Sequence, residues 1–156
     1  MKLSKNFSYK ELTFSREAHK NGIENIPSTD ELVSMTSLCQ RILQPIRDAH
    51  GAIFISSGFR SETLAPLVGS TIKSQHCRGE AADFESYNIP NDKMCLWITE
   101  NLDEWDDLIL EHFNEKDPNS GWIHVSYRRA GNNRKQVRRA TRRGKKVHYE
   151  LWDPKK

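Results

Sequence analysis

The segment Ser74-Gln75-His76-Cys77-Arg78-Gly79-Glu80-Ala81-Ala82-Asp83 places a histidine and an aspartate seven residues apart. A second histidine, His124, lies in Gly121-Trp122-Ile123-His124-Val125-Ser126-Tyr127, a run that reads as a strand. Two imidazoles and one carboxylate form a ligand set that leaves the fourth tetrahedral position of a zinc ion open to water. An open position distinguishes a hydrolytic zinc site from a structural one, so these residues point to a metallohydrolase. Gly79 and Ala81 keep the backbone between the first two ligands compact, which lets the chain bend and present both groups to one point. Alternation along the strand puts Trp122, His124 and Ser126 on one face and Ile123, Val125 and Tyr127 on the other. His124 therefore leaves the core side and can meet the first pair across a sheet.

Several elements must carry these groups. Ser8 and Glu11 form a capping box that predicts a short helix. Ser28 and Glu31 form another, opening a helix over about 28–50 whose apolar face is Leu32, Met35, Cys39, Ile42, Ile46 and Ala49. Pro45 should kink this helix and Gly51 end it. A short buried strand is predicted at 52–56, then a loop, a short helix over 62–68 and a turn at 69–70. Residues 81–84 read as a strand, and 92–102 as a helix with Asn91 as its cap. Residues 107–113 read as a strand with Ile109, Glu111 and Phe113 on one face. A polar loop over 114–120 leads to the 122–127 strand. Two further weak strands flank residues 142–145. Helices first, then strands with interspersed helices, imply an α+β fold: a mostly antiparallel sheet with helices packed on one face.

The 156 residues are read as a single domain, 1–156, with the basic segment 128–146 as part of it. No apolar run approaches the roughly 18 residues that a bilayer span needs. The lysines near Met1 are not followed by an apolar signal region. The odd set Cys39, Cys77 and Cys95 contains no C-x-x-C pair, which argues against a disulfide framework and a zinc ribbon. Cys39 and Cys95 fall in core patterns, and no motif supports a thiol nucleophile at Cys77. The net charge of +3 conceals an asymmetry: residues 1–117 carry 12 Lys/Arg against 19 Asp/Glu, and residues 118–156 carry 12 against two. Five basic doublets, from Arg128-Arg129 to Lys145-Lys146, have no acid between them. This end suits an anionic wall polymer or lipopolysaccharide, or serves as a solvated edge whose cations discourage strand pairing. Nucleic acid is the other polyanion to weigh, but no nucleic-acid motif is present, and Trp122 and Tyr127 flank the histidine instead of interleaving with the arginines. There is also no phosphate-binding loop and no nucleophile elbow.

Three separated segments together resemble the zinc D-Ala-D-Ala carboxypeptidase and L-alanyl-D-glutamate endopeptidase family of cell-wall peptidases, peptidase M15. Ser56-Ser57-Gly58-Phe59-Arg60-Ser61 resembles its S-G-[YF]-R-S loop. Ser74 to Asp83 fills S-x-H-x-x-G-x-A-x-D, and Trp122 to Ser126 resembles W-[IV]-H-[VI]-S. The resemblance covers roughly residues 5–140 and is nearest to the short phage and prophage members, such as endolysins. It implies a fold like that of the D,D-peptidases and the hedgehog signalling domain, with zinc held by His76, Asp83 and His124. It implies that Arg60 holds a substrate carboxylate or carbonyl, and that Ser74 orients the ligand loop or a substrate carbonyl. Many members carry an acid three positions before the second histidine, where this chain has Gly121.

Glu111 is the favoured general base, since its strand should pair with that of His124 and Leu-Ile-Leu-Glu resembles a run in the short phage members. Asp117 is the reserve. The implied function is zinc-dependent cleavage of a peptide bond in the peptidoglycan stem, in phage-type wall degradation. The enzyme would be made in the cytoplasm and reach the wall by holin-type release or as a virion component. The alternatives are a non-catalytic zinc module that binds a partner, as hedgehog domains do, and a nucleic-acid-binding protein acting through the basic segment.

Overall fold

The computed structural model describes residues 1–156. Two short helices, α1 (Tyr9–Thr13) and α2 (Arg16–Lys20), are each capped by a serine: Ser8 accepts from the Glu11 amide and Ser15 from the Ala18 amide. The α2 helix was not expected from the sequence pattern. The Ser28–Glu31 capping box opens α3 (Thr29–Leu38), as expected. The long helix then continues through a π-helical turn, Cys39–Leu43, into α4 (Gln44–His50). Pro45 lacks an N–H and its ring crowds the carbonyl four residues back; the wider π turn accommodates this immediately before it.

The strands are β1 (Ile53–Ser57), β2 (Ala81–Ser86), β3 (Asp107–Glu111), β4 (Trp122–Ser126), β5 (Gln136–Arg143) and β6 (Lys146–Leu151), with α5 (Asn91–Asn101) between β2 and β3. They form one sheet in the order β1-β2-β4-β3-β5-β6. Every pairing is antiparallel except that of β3 with β5. The expected α+β architecture with a mostly antiparallel sheet is therefore present. Ala82, Phe84, Leu108, Leu110, Ile123 and Val125 point to one face and join Met35, Leu38, Ile42, Ile46, Met94 and Ile98 in the buried core. Each large apolar side chain buried there contributes about 1.5–3 kcal/mol. Their alternate neighbours, including Asp83, Ile109, Glu111 and His124, lie on the opposite face.

Some expectations need correction. The 107–113 strand stops at Glu111, because His112 takes a left-handed conformation (φ 54°). Phe113 consequently turns into the core instead of sharing the face of Glu111. The helix expected over 62–68 is a 3-10 turn, Ala65–Val68. Asn91 is not the cap of α5, which is Pro90. The Asn91 side chain is buried and donates to the Ser120 and Gly121 carbonyls, tying the loop before β4. The two strands expected on either side of residues 142–145 are present as the β5–β6 hairpin, longer than the pattern indicated and attached to β3. No helix is long and apolar enough to cross a membrane.

Candidate metal centre and catalytic cleft

His76 lies in a 3-10 turn, Gln75–Arg78, capped by Ser74, whose hydroxyl accepts from the His76 amide at 3.2 Å. Gly79 closes the turn in the left-handed region (φ 72°) and packs so tightly on α3 that a Cβ there would lie 2.3 Å from the Glu31 carbonyl oxygen. The turn is thereby fixed against the helix, and Ala81 starts β2. The His76 Nδ1 is 2.7 Å from the Gly58 carbonyl oxygen. A carbonyl only accepts, so Nδ1 carries the proton and Nε2 presents its lone pair.

That lone pair faces Asp83, with Nε2 3.4 Å from Oδ1. His124 is the register partner of Asp83 across β2 and β4, and its Nδ1 lies 3.0 Å from the same oxygen. The three ligand atoms lie within 4.8 Å of one another. The donor set fits a metal ion: two imidazole nitrogens and one carboxylate oxygen converge, and the far nitrogen of His76 is locked by a backbone carbonyl. Burial pushes the His76 pKa down, favouring the neutral imidazole that a metal requires. Burial alone would raise the Asp83 carboxyl, but the attraction and hydrogen bonds of His76 and His124 prevail and hold it far below the usual carboxylate range. For His124, burial pushes the pKa down, and the hydrogen bond and charge of Asp83 overcome it to leave a net rise.

Arg60 reaches the other carboxylate oxygen, with a terminal nitrogen 3.3 Å from Asp83 Oδ2. Its Nε donates to Ser57 Oγ at 3.0 Å and its amide to the His76 carbonyl at 3.1 Å. The loop that carries it is clamped by Asn25, whose side-chain nitrogen donates to the Thr13 and Phe59 carbonyls while its oxygen accepts from the Ser61 amide.

Glu111 is the register partner of Trp122 across β3 and β4. Its Oε2 accepts from the indole N–H of Trp122 at 2.7 Å. Burial, and next the negative charge of Asp83, push its pKa up. Gly121 explains why no acid occupies that earlier position. It has φ 70°, and a Cβ on it would lie 2.1 Å from the Glu111 carbonyl oxygen. No side chain fits where β3 and β4 approach so closely. Asp117 is elsewhere, its carboxylate accepting from the Asn119 amide in an exposed loop. A cleft of about 750 Å³ brings together Arg60, Ser74, His76, Asp83, Glu111 and His124.

The three side chains could hold a metal ion, and a family comparison decides the class. The model of the family described as Peptidase M15 matches residues 5–126. The chain belongs to the peptidase M15 family. A search of curated proteins finds no match for it.

The M15 match ends at Ser126, the last residue of β4, so all three motif segments lie inside it while β5 and β6 follow it. In this M15 peptidase two site-supporting residues have no chemistry legible in their immediate sequence. Trp122 positions Glu111, and the only available signal was that both sit on one face of neighbouring strands. Asn25 lies in a loop with no periodicity at all. Cys77 sits in the 3-10 turn, is buried, and donates weakly to the Thr71 carbonyl.

Proposed function

We propose that the protein is a zinc-dependent peptidase that hydrolyses a peptide bond in the peptidoglycan stem, in the manner of a phage or prophage wall-degrading enzyme. The observation that carries this reading is the convergence of His76, Asp83 and His124 with a half-buried Glu111 on one face of the sheet. His76, Asp83 and His124 would hold the zinc. Bound zinc supplies a Lewis acid that activates water at neutral pH and polarises a carbonyl.

The protein's own groups do the rest. Glu111 takes the proton from the attacking water and returns it to the leaving amine. Burial raises its pKa, in the direction that helps a base hold the proton long enough to deliver it. Trp122 holds one oxygen of Glu111 and leaves the other free for the water. Arg60 binds a carboxylate or the developing oxyanion of the substrate, for which its planar fork is suited. Ser74 holds the ligand turn through the His76 amide.

The test is digestion of intact peptidoglycan with and without a chelator, with fragments identified by mass spectrometry. Chelator-sensitive fragments bearing one new amino terminus are expected. Intact wall in both arms, with zinc bound to the protein, overturns the reading in favour of a binding module.

A further inference from the structure

Strand alternation divides the basic doublets between two faces of the sheet. Arg138 is opposite Ile109 and shares the face of Asp83 and Glu111, whereas Arg139 reaches the Phe113 carbonyl and Glu115 on the other side. The same alternation sends Arg142 into the cleft and Arg143 away from it. The register continues through Glu111, Ala140 and Tyr149 on adjacent strands, so the hairpin lies directly beside the proposed base. Tyr149 lines the cleft under the Arg138 guanidinium, 4.7 Å from its ring centroid.

The cations on this wall are not equivalent. Arg138 is neutralised by the buried Asp107 through two hydrogen bonds, and Arg134 is neutralised by the buried Asp106. Arg142 lines the same cleft, is exposed, and has no partner carboxylate. It sits four residues along β5 from the row that contains Asp83, and three strands across from it. That places its backbone roughly 14 Å across and 13 Å along the sheet from the Asp83–Arg60 pair. About five or six extended residues span such a separation. A peptide of that length held at one end by Arg60 is long enough to reach Arg142 at the other.

We propose that the β5–β6 hairpin is a wall of the substrate cleft and that Arg142 binds a carboxylate of the bound peptide remote from the one at Arg60. This deepens the peptidase reading and rests on it: the substrate is a stem peptide with at least two carboxylates, and the hairpin selects for the second. The basic segment is then a specificity element, not an adhesive tail.

Neighbours in one doublet provide the test. Arg142→Ala and Arg143→Ala change net charge equally but lie on opposite faces. With soluble stem peptide, Arg142→Ala is expected to raise KM about tenfold or more, as loss of a hydrogen bond to a charged group implies, with kcat little changed. Arg143→Ala should leave both constants near wild type. Amidating the remote carboxylate should raise the wild-type KM similarly and abolish the difference between wild type and Arg142→Ala. Equal effects of the two variants, or no effect of either, overturn the cleft-wall role while wild-type turnover leaves the peptidase reading standing. Absence of wild-type, chelator-sensitive turnover on any stem peptide overturns both.

Discussion

Replacing Gly121 with alanine tests the claim that the close β3–β4 approach leaves no room for an acid at that position, where many members of the family carry one. Two separate penalties follow from the structure. The first is conformational: φ is 70°, and an L-residue held in the left-handed region loses about 1–2 kcal/mol. The second is steric. A Cβ would lie 2.1 Å from the Glu111 carbonyl oxygen and 2.9 Å from the next carbonyl carbon, so the two strands must separate by about 1 Å to restore ordinary contact. Overpacking of this kind costs about 1–3 kcal/mol. The sum, roughly 2–5 kcal/mol, is a large part of the stability of an ordinary domain. Gly144→Ala is the control, since Gly144 has φ 64° and nothing within 4 Å of an added Cβ. It carries the first penalty without the second. Urea unfolding of the two variants should place Gly121→Ala at least 1 kcal/mol below Gly144→Ala. Gly121→Ala should also lose activity, because separating the strands moves Glu111 from Trp122. Equal stabilities and full activity in Gly121→Ala would refute the reasoning.

Further outcomes follow from the same geometry. Glu111→Gln should lower kcat by about 10²–10⁴-fold, the usual range for a general base, while one zinc per chain remains by elemental analysis. Trp122→Phe removes the donor 2.7 Å from Glu111 and should lower kcat by about tenfold or more with zinc content unchanged; an unaltered kcat would remove Trp122 from the mechanism. The thiols should be inert in the native protein: burial pushes Cys39 up to about 12 and also raises Cys77 and Cys95. Iodoacetamide near neutral pH should add no mass until the chain is unfolded, and rapid alkylation of Cys77 would contradict its assigned burial.

The site was legible in the sequence to the extent that its geometry is local. His76 and Asp83 are joined by six residues of turn and strand, and the alternation that aims His124 away from Ile123 and Val125 is a property of one strand. Glu111 required one further step, the pairing of two strands joined by a short loop, and the register delivers it opposite Trp122. Phe113 was misplaced because the strand ends two residues early, and nothing in the alternating pattern marks the left-handed residue at His112. The π turn before Pro45 was not legible either, since a proline specifies an obstacle in the helix ladder but not how the helix passes it. The basic segment was the least legible part. Its charge was plain, but its position depends on β5 pairing in parallel with β3, a contact between residues about thirty apart that no local pattern encodes. That one pairing turns a run of doublets into two chemically different faces.

The environments of the two cleft carboxylates, Asp83 buried and Glu111 half-buried, fit the proposed division of labour between them. Asp83 and Glu111 both lie on the site face of the sheet, and both lose hydration, which by itself raises a carboxyl pKa. Asp83 is compensated by two imidazoles and Arg60 and stays ionised far below the ordinary range. At Glu111 burial, with the negative Asp83 nearby, outweighs the single hydrogen bond from the indole, so its pKa rises. An oxygen that remains ionised at every physiological pH is suited to hold a cation and unsuited to carry a proton through a catalytic cycle. A carboxylate displaced upward towards neutrality has the opposite aptitude. A dication held by His76, Asp83 and His124 would lower both values, and would act more strongly on Asp83, since Glu111 is not among those ligand atoms. The environments thus fit the proposed separation of ligand from base by the same principle that separates acid from nucleophile where two carboxylates share one active site.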